Sequence, residues 1–378
     1  MELQDYRDQL DAVDSQIAEL FKQRMALVRQ VADYKKEHNT PVLAANRERD
    51  ILYRVTGLCG PELEEYTKIL YSTMLELSRD YQENRLSTGD SALCREILAA
   101  AENAGEFPTR AVVACQGIEG AYSQLACDKI FSLPQIMYFN RFDGVFRAVE
   151  NGMCRYGILP IENSSAGSVT DVYDLIEKYN CKIVRSLKLK VDHCLLAEPG
   201  VKLSDVKEVV AHEQALDQCS EFLKNNNIKI TVFGNNAAAA KYVAECGRRD
   251  IAAIASGNCA DLYNLEIISR KISNSDHNYT RFICISKTLE IFEGANKITF
   301  VASTSHRPGS LYSLLAKFAT RGMNISKLES RPIPGKAFEF RFYFDVDASV
   351  RNGDTQTILS QLEKEDFFTF LGAYSEVF

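Results

Sequence analysis

Apolar residues recur at alternating steps of three and four along residues 3–34, and this periodicity strongly limits how the N-terminal part can fold. The positions are Leu3, Tyr6, Leu10, Val13, Ile17, Leu20, Leu27, Val31 and Tyr34, with Arg24 as the one charged member. Such spacing places the side chains on a single helix face. No Gly or Pro interrupts it before Pro41, so we predict one long helix. Two further helices are predicted, one over residues 47–56 capped by Asn46 and one starting at Pro61.

The pattern changes at residue 109. Short apolar runs then alternate with helical stretches, which is typical of an α/β domain. From about residue 296 the predicted order is βαββαβ, a ferredoxin-like α+β fold. We therefore expect an all-helical domain over residues 1–86, a linker over 87–108, a two-lobed α/β domain over 109–288 and a ferredoxin-like domain over 296–378.

Composition excludes several classes of function. The chain has 51 Asp and Glu against 44 Lys and Arg, a net charge of −7 that disfavours nucleic acids and membrane surfaces as partners. No uncharged run approaches the roughly 18 residues of a membrane span, and the acidic N-terminus is unlike a signal peptide, so we expect a cytoplasmic protein. Dispersed cysteines and histidines predict no metal site. No G-x-G-x-x-G occurs, so no dinucleotide cofactor is expected.

Three cations of the first predicted helix suggest an anion site. Arg24 lies in the apolar seam, where an unpaired guanidinium would cost several kcal/mol. Lys35 lies about 16 Å further along the helix, within reach of a shared ligand, whereas Arg7 lies about 25 Å before Arg24 and could join only from a second subunit. Ser78 and Gln82 share one face of the third helix. A coiled helix pair with surface ion pairs is the alternative that the spacing leaves open.

Residues 5–85 resemble the all-helical chorismate mutase family, whose N-R-E-R-D segment matches residues 46–50. The resemblance implies a domain-swapped dimer that rearranges chorismate to prephenate. It assigns catalysis to Lys35, Glu48 and Gln82. The implied substrate-binding residues are Arg7, Arg24, Lys35, Arg47, Glu48, Ser78 and Gln82. An Asp that the family commonly has four residues before Glu48 is Ala44 here.

Four clusters rich in hydroxyl and amide groups lie at residues 117–123, 160–168, 212–219 and 278–282. Each could be ordinary turn and capping chemistry, but their order over residues 109–288 resembles prephenate dehydratase. The resemblance implies a cleft between two lobes, with Thr280 as the catalytic residue. The implied binding residues are Tyr122, Ser123, Glu162, Asn163, Ser164, His212, Gln218, Thr280 and Arg281. Family hydroxyls or motif residues are replaced at Ala121, Ala211, Asn235 and Asn236, so a weaker dehydratase is expected.

Two segments of the last domain, residues 307–311 and 328–332, resemble the phenylalanine-binding motifs of the ACT regulatory domain. Either segment alone could be turn and edge-strand chemistry. The implied effector-binding residues are Pro308, Gly309, Ser310, Leu311, Glu329, Ser330, Arg331 and Pro332. Their expected role is feedback inhibition by L-phenylalanine.

The sequence as a whole is identified as a member of the bifunctional chorismate mutase/prephenate dehydratase family. We expect it to use chorismate and prephenate, to respond to L-phenylalanine and to form a homodimer or larger homo-oligomer. Two alternatives stay open at this point. The α/β domain could be an amino-acid or keto-acid sensor with impaired catalysis, or it could prefer arogenate, the amino analogue of prephenate.

Overall fold

A computed structural model describes residues 2–86, 91–103, 105–304, 309–333, 339–365 and 367–377. The chain forms two compact units. The first comprises Met1–Glu96 and Val301–Thr369, and the second comprises Ile97–Phe300 and Phe370–Phe378. No helix of the described ranges combines the length and the apolar character that a bilayer span requires.

The N-terminal part is helical, as predicted. Its helices are α1 Leu3–Glu37, α2 Ala45–Cys59, α3 Glu64–Leu86 and α4 Ala92–Asn103. The prediction that Asn46 caps the second helix was wrong, because α2 begins one residue earlier with Ala44 at the N-cap and no side-chain cap. The Asn46 oxygen instead accepts a hydrogen bond from Arg49. Pro61 opens a single 3₁₀ turn that leads into α3.

The apolar seam of α1 faces outward in the single chain. Its nine apolar members are between 45% and 67% exposed. A continuous apolar stripe of this length is unusual on an isolated chain and marks an interaction surface. Ala32, by contrast, is buried, on the part of α1 that packs against α3.

Strands and helices alternate through the rest of the chain, which confirms the predicted α/β and α+β parts. The elements up to the end of the α/β part are β1 Arg110–Gln116, α5 Tyr122–Ile130, β2 Leu133–Phe139, α6 Phe142–Glu150, β3 Tyr156–Asn163, β4 Gly167–Ser168, α7 Thr170–Tyr179, β5 Lys182–Lys190, β6 Cys194–Ala197, β7 Glu208–Ala211, α8 Glu213–Gln218, α9 Ser220–Asn225, β8 Lys229–Val232, α10 Asn236–Glu245, β9 Ile251–Ala255, α11 Asn258–Tyr263, β10 Glu266–Ser269 and β11 Tyr279–Ser286. The final elements are β12 Lys297–Ser303, α12 Ser310–Ala319, β13 Asn324–Pro332, β14 Phe340–Asp347, α13 Gly353–Leu362, β15 Phe368–Tyr374 and β16 Glu376–Val377.

Two sheets give the second unit its two lobes. The larger has the order β16-β5-β11-β3-β1-β2, with β4 paired to β3, and the smaller has the order β10-β6-β9-β7-β8. Strands β3 and β11 are antiparallel neighbours that set Asn163 opposite Thr280. The larger sheet contributes to one cluster of buried apolar residues and the smaller sheet to two. The chain crosses between the lobes, so polar residues at the strand ends line the space between them.

The C-terminal part forms a four-stranded sheet in the order β13-β14-β12-β15. Its element order confirms the predicted βαββαβ arrangement. Strand β13 lies at the edge of this sheet, and its residues alternate between exposed and half-buried. Such an edge is a natural surface for pairing with another chain.

Candidate active sites

Arg24, Ser78 and Gln82 meet where α1 packs against α3. The Arg24 guanidinium donates from Nη1 to the Ser78 hydroxyl. Gln82 is buried and donates from Nε2 to the Ser78 carbonyl at 3.1 Å. Its other amide atom, Oε1, is buried without a hydrogen-bond partner among the described residues. Burial lowers the pKa of Arg24, but its ordinary value of 12.5 is so high that the group stays charged near neutral pH.

Lys35 and Glu48 extend this cluster. Lys35 is half-buried, and its ammonium donates to the Val42 carbonyl at 2.5 Å. Burial lowers the pKa of Lys35, and attraction to Glu48 partly opposes that shift. Glu48 lies in the first turn of α2, where a carboxylate is favoured by the helix dipole. The structure therefore combines two cations, one carboxylate, one hydroxyl and one amide in a single region.

Arg7 and Arg47 do not join this region in the single chain. Both are exposed. Arg7 lies 17 residues before Arg24 on the unbroken helix α1, which corresponds to about 25 Å along the axis. The predicted role of Arg7 thus depends on a second subunit.

A cleft of about 450 Å³ lies between the lobes of the second unit. Its lining is polar but carries no Asp, Glu, Lys or Arg among the described residues. The lining residues are Gln116, Gly120, Ala121, Tyr122, Ser123, Phe142, Pro160, Asn163, Ala166, Gly167, Ser168, Val169, His212, Gln214, Gly234, Asn235, Asn236, Ala237, Ser256, Thr280 and Phe282. Of the nine predicted binding residues, the cleft contains Tyr122, Ser123, Asn163, His212 and Thr280.

The central contact of the cleft joins Asn163 to Thr280. Asn163 Nδ2 donates to Thr280 Oγ1 at 2.9 Å. Asn163 Oδ1 accepts from the main-chain N–H groups of Ser165 and Ala166, each at 2.9 Å. Main-chain N–H groups can only donate, so they fix which end of the amide is the oxygen. Thr280 Oγ1 consequently accepts a hydrogen bond here and keeps its own proton to donate elsewhere.

A buried chain of hydrogen bonds supports Asn163. Its Nδ2 also donates to Asn278 Oδ1, Asn278 Nδ2 donates to Gln218 Oε1, and His193 Nε2 contacts the same oxygen at 2.9 Å. His193 is buried, and its Nδ1 has no partner among the described residues. Burial lowers the pKa of His193, although the Gln218 contact favours the protonated form. A neutral ring with the proton on Nε2 satisfies this arrangement.

The predicted dehydratase residues outside the cleft lining, and His212 at the cleft, form hydrogen bonds or ion pairs within the protein. Arg281 is buried and forms an ion pair with Glu162 at 3.3 Å, across the β3–β11 ladder. The Ser164 hydroxyl donates to the His277 carbonyl and accepts from the Tyr279 N–H. His212 is the N-cap of α8, with Nδ1 accepting from the Gln214 N–H. Glu162, Ser164, Gln218 and Arg281 support the cleft wall without lining the cleft.

The substituted family positions have physical explanations. Asn235 is the N-cap of α10 and accepts from the N–H groups of Ala237 and Ala238, a role in which Asn is as effective as Ser. Asn236 accepts from the His212 N–H at 2.8 Å. Ala211 is fully buried in an apolar cluster and does not line the cleft. The replacement at Ala211 therefore removes no group from the lining of the cleft.

The two effector segments lie at the start of α12 and along β13. Gly309 is the N-cap of α12 with φ +87°, a left-handed conformation that favours glycine, and Ser310 and Leu311 begin the helix. The other segment, Glu329, Ser330, Arg331 and Pro332, ends the edge strand β13. Pro308 lies outside the described residues.

Comparison with known proteins assigns a family to two parts of the chain. The chorismate mutase type II profile matches residues 6–83, and the prephenate dehydratase profile matches residues 113–290. The bifunctional chorismate mutase/prephenate dehydratase of Enterobacter agglomerans is 31% identical over 94% of this chain and 91% of its own length. The chain belongs to the bifunctional chorismate mutase/prephenate dehydratase family.

Two further similar proteins match about 70% of this chain. Arogenate dehydratase/prephenate dehydratase 1 of Arabidopsis thaliana is 37% identical over 69% of this chain and 71% of its own length. The structure of prephenate dehydratase from Arthrobacter aurescens in complex with L-Phe has 28% identity and a TM-score of 0.64, covering 70% of this chain and 89% of that one.

Three residues that support the predicted site residues through hydrogen bonds were not predicted from the sequence. Arg79 follows Ser78 and bonds to Glu48, while Asn278 and His193 continue the Asn163 chain. Asn278 is the first residue of the polar cluster at 278–282 and could have been found there. Arg79 lies three residues before Gln82, so helix spacing offered a signal. His193 had none, because only folding brings it beside Gln218.

In the described ranges, no group of three or more His, Cys, Asp or Glu could hold a metal ion.

Proposed function

We propose that this chain converts chorismate to prephenate in its helical part and prephenate to phenylpyruvate in its α/β part, under feedback control by L-phenylalanine. The observation that carries this proposal is the presence of both family profiles, over residues 6–83 and 113–290, in one chain that a bifunctional relative matches almost end to end. Eleven free cysteines, most of them buried, favour a reducing compartment such as the cytosol.

The first step is a Claisen rearrangement, which needs no acid, base or nucleophile. The site must hold a dicarboxylate in its compact conformer and donate to the ether oxygen, where negative charge develops. We assign carboxylate binding to Arg24 and donation to Lys35 and Gln82. The Gln82 amide now donates to the Ser78 carbonyl, which already accepts the helical N–H of Gln82 itself. Turning this amide toward a substrate therefore leaves no main-chain group without a partner.

We infer that a second copy of the chain covers the seam of α1 and supplies Arg7. The exposed apolar stripe and the distance of about 25 Å between Arg7 and Arg24 support a symmetric dimer with shared sites. A mixing experiment tests it directly. Arg7→Ala and Arg24→Ala chains are each expected to lose mutase activity. The mixture formed by unfolding and refolding equal amounts of them together should recover about one quarter of the wild-type sites, since half of the dimers are mixed and one of the two sites in each mixed dimer is intact.

Recovery of no activity in that mixture would contradict shared sites. Replacing Leu10 and Ile17 together by Glu offers a second test, because charge on the seam opposes its burial. This variant should elute at the mass of one chain and lose mutase activity. Its dehydratase activity, carried by the other unit, is the control for folding.

The second step expels the ring carboxylate as CO₂ and the ring hydroxyl as hydroxide, which takes a proton from solvent to become water, and aromatisation drives the reaction. The electrons of the broken C–CO₂ bond enter the ring as the C–O bond breaks, and the departing oxygen needs a hydrogen-bond donor. We assign this donor to the Thr280 hydroxyl, because Asn163 already occupies Thr280 Oγ1 as donor and leaves the hydroxyl proton available. His212 borders the cleft and is a further polar contact for the substrate.

Substrate anions in this cleft would be met by main-chain groups. Helix α5 begins at the cleft with Ala121 as its N-cap and no side-chain cap, so its first N–H groups can bind a carboxylate. The described lining has no carboxylate to attract an ammonium group. This observation favours prephenate over arogenate, which carries an amino group in place of the ketone.

The test of the function supplies chorismate to the purified protein and measures prephenate and phenylpyruvate separately, with and without L-phenylalanine. Appearance of both products, and their decrease with millimolar L-phenylalanine, is the expected result. Prephenate that accumulates without phenylpyruvate would contradict the dehydratase. A higher kcat/KM for arogenate than for prephenate would reverse the substrate preference.

A further inference from the structure

Arg79 lies between two carboxylates, that of Glu48 in the mutase site and that of Glu76 on α3. Its guanidinium donates from Nη1 to Glu48 Oε2 at 2.5 Å, and Nη2 lies 3.9 Å from Glu76 Oε1. Both partners of the Arg79–Glu48 pair keep only 22% of their side chains exposed. Charge-assisted hydrogen bonds of this kind are stronger than neutral ones and fix orientation.

Glu48 has few other means of keeping its position. Ala44 at the start of α2 supplies no side-chain cap. The Lys35 ammonium is close enough to Glu48 for the carboxylate to oppose the lowering of the Lys35 pKa by burial, but its hydrogen bond goes to the Val42 carbonyl. Among the described residues, Arg79 is the one that hydrogen-bonds the Glu48 carboxylate. A carboxylate in a site built for a dicarboxylate also repels its ligand unless a cation lies beside it.

Glu76, the second carboxylate beside Arg79, is also held in place by a hydrogen bond. Glu76 Oε1 accepts from the Ser313 hydroxyl of α12 at 2.5 Å, while Glu76 Oε2 is buried without a hydrogen-bond partner among the described residues. Ser78 and Gln82 project from the same stretch of α3 into the site. Arg79 thus has a fixed carboxylate on each side, and its orientation is tied to the helix that carries Ser78 and Gln82.

We propose that Arg79 is a positioning residue of the mutase site, which orients Glu48 toward the substrate hydroxyl and neutralises its charge. The inference rests on the proposed mutase function. A carboxylate that accepts the substrate hydroxyl binds ground state and transition state alike, so its misplacement raises KM more than it lowers kcat. A purely structural role in joining α2 to α3 would instead reduce the amount of active enzyme and lower the apparent kcat.

The experiment compares full-length wild type with Arg79→Gln, Arg79→Lys, Glu48→Gln and the Arg79→Gln/Glu48→Gln double variant. Arg79→Gln should raise KM for chorismate by about 10- to 100-fold, the effect of losing a hydrogen bond to a charged group, with kcat within about threefold of wild type. Arg79→Lys keeps a cation that can donate to Glu48, so part of the KM should recover. In the Glu48→Gln background, loss of Arg79 should change KM less than twofold, because the two residues act as one unit.

Arg85→Gln is the matched control. Arg85 is an exposed arginine of the same helix that pairs with Asp33 of α1 at 2.7 Å and not with a predicted site residue. Its loss should leave KM for chorismate unchanged. An unchanged KM in Arg79→Gln, or independent effects of the two substitutions, would overturn the positioning role. Wild-type protein unable to rearrange chorismate would instead contradict the proposed function itself, and far-UV circular dichroism reports separately on whether the helices of each variant are folded.

Discussion

Asn163 donates a hydrogen bond to Thr280 across two antiparallel strands, with 2.9 Å between Nδ2 and Oγ1. The oxygen of the same amide is held by two main-chain N–H groups, so the amide cannot turn without losing both. The direction of this bond decides what Thr280 can do. Its hydroxyl is an acceptor toward the protein and a donor toward the cleft.

Replacing Thr280 by Val, which has nearly the same shape, removes the hydroxyl both as a donor toward the cleft and as an acceptor from Asn163, whose Nδ2 keeps its hydrogen bond to Asn278. We expect phenylpyruvate formation to fall by about 10²-fold or more, the usual contribution of a positioned proton donor. Prephenate formation from chorismate should be unaffected. Both rates are measured on the same preparation. Thr280→Ser should retain substantial dehydratase activity, and a Thr280→Val enzyme with normal dehydratase turnover would show that the hydroxyl is not the donor.

Asn163→Asp tests the direction of the bond. A carboxylate at this position still accepts from the N–H groups of Ser165 and Ala166, but it cannot donate to Thr280. The Thr280 hydroxyl would then donate to the carboxylate instead of the substrate. We expect kcat for prephenate to fall by about 10- to 100-fold at neutral pH. Steady-state kinetics with prephenate measures this change, and wild-type turnover would contradict the assigned hydrogen-bond direction.

His193 makes the α/β unit sensitive to acid. Burial holds its folded-state pKa below the ordinary value of 6.5. Below that pH the unfolded chain binds a proton that the folded protein does not, so stability present above pH 6.5 is lost as the pH falls toward the folded pKa. The limiting slope for one group is about 1.4 kcal/mol per pH unit. Urea unfolding at pH 7.5 and 5.5 measures the loss.

His193→Gln should reduce this acid sensitivity, because Gln has no titratable group. Its side-chain amide can still donate to Gln218. The quantity compared is therefore the change in the free energy of unfolding per pH unit in wild type and in the variant, whatever the stability of the variant at neutral pH. Equal slopes for wild type and variant would assign the acid sensitivity to other groups.

Sequence periodicity was sufficient to predict the long helices and the order of helices and strands along the chain, because the face on which an element packs imposes the spacing that the sequence displays. It located Arg24, Ser78 and Gln82 on facing helices for the same reason. Spacing could not reveal that Gln218 supports Asn163 from outside the cleft, or that the Ala211 side chain points into an apolar cluster. These relationships depend on how distant strands are brought together.

Lys35 gives the mutase an alkaline limit. Burial lowers its pKa below the ordinary 10.5, against the attraction of Glu48. Its ammonium is lost as the pH rises through this lowered value, and with it the proposed donor to the ether oxygen. We expect kcat/KM for chorismate to decline as the pH rises, with the midpoint of the decline below pH 10.5. Lys35→Ala should lower turnover by about 10²-fold or more. A pH–rate profile checks this, with Lys35→Arg as the variant in which the decline should move to higher pH.

Arg321, in the turn that follows α12, forms a largely buried ion pair with Asp80 of α3. Both terminal nitrogens of Arg321 lie 3.1 Å from Asp80 Oδ1, and only 6% of the Arg321 side chain is exposed. Removing one partner of a buried pair leaves an uncompensated charge, which typically costs about 3–5 kcal/mol. Asp80→Ala should therefore markedly destabilise the unit that contains α3 and α12, and urea unfolding followed by circular dichroism measures the loss.

Glu83→Ala is the control for that experiment. Glu83 is 31% exposed and pairs at 3.2 Å with Lys317, which has a second partner in Glu365. Lys317 would remain paired, so the expected loss is below about 1 kcal/mol. Asp80 and Glu83 lie about one helical turn apart on α3, so both substitutions remove a negative charge from the same part of the helix. A larger loss for Asp80→Ala is then due to the burial of Arg321. Equal destabilisation by the two substitutions would show that burial of Arg321 is not the cause.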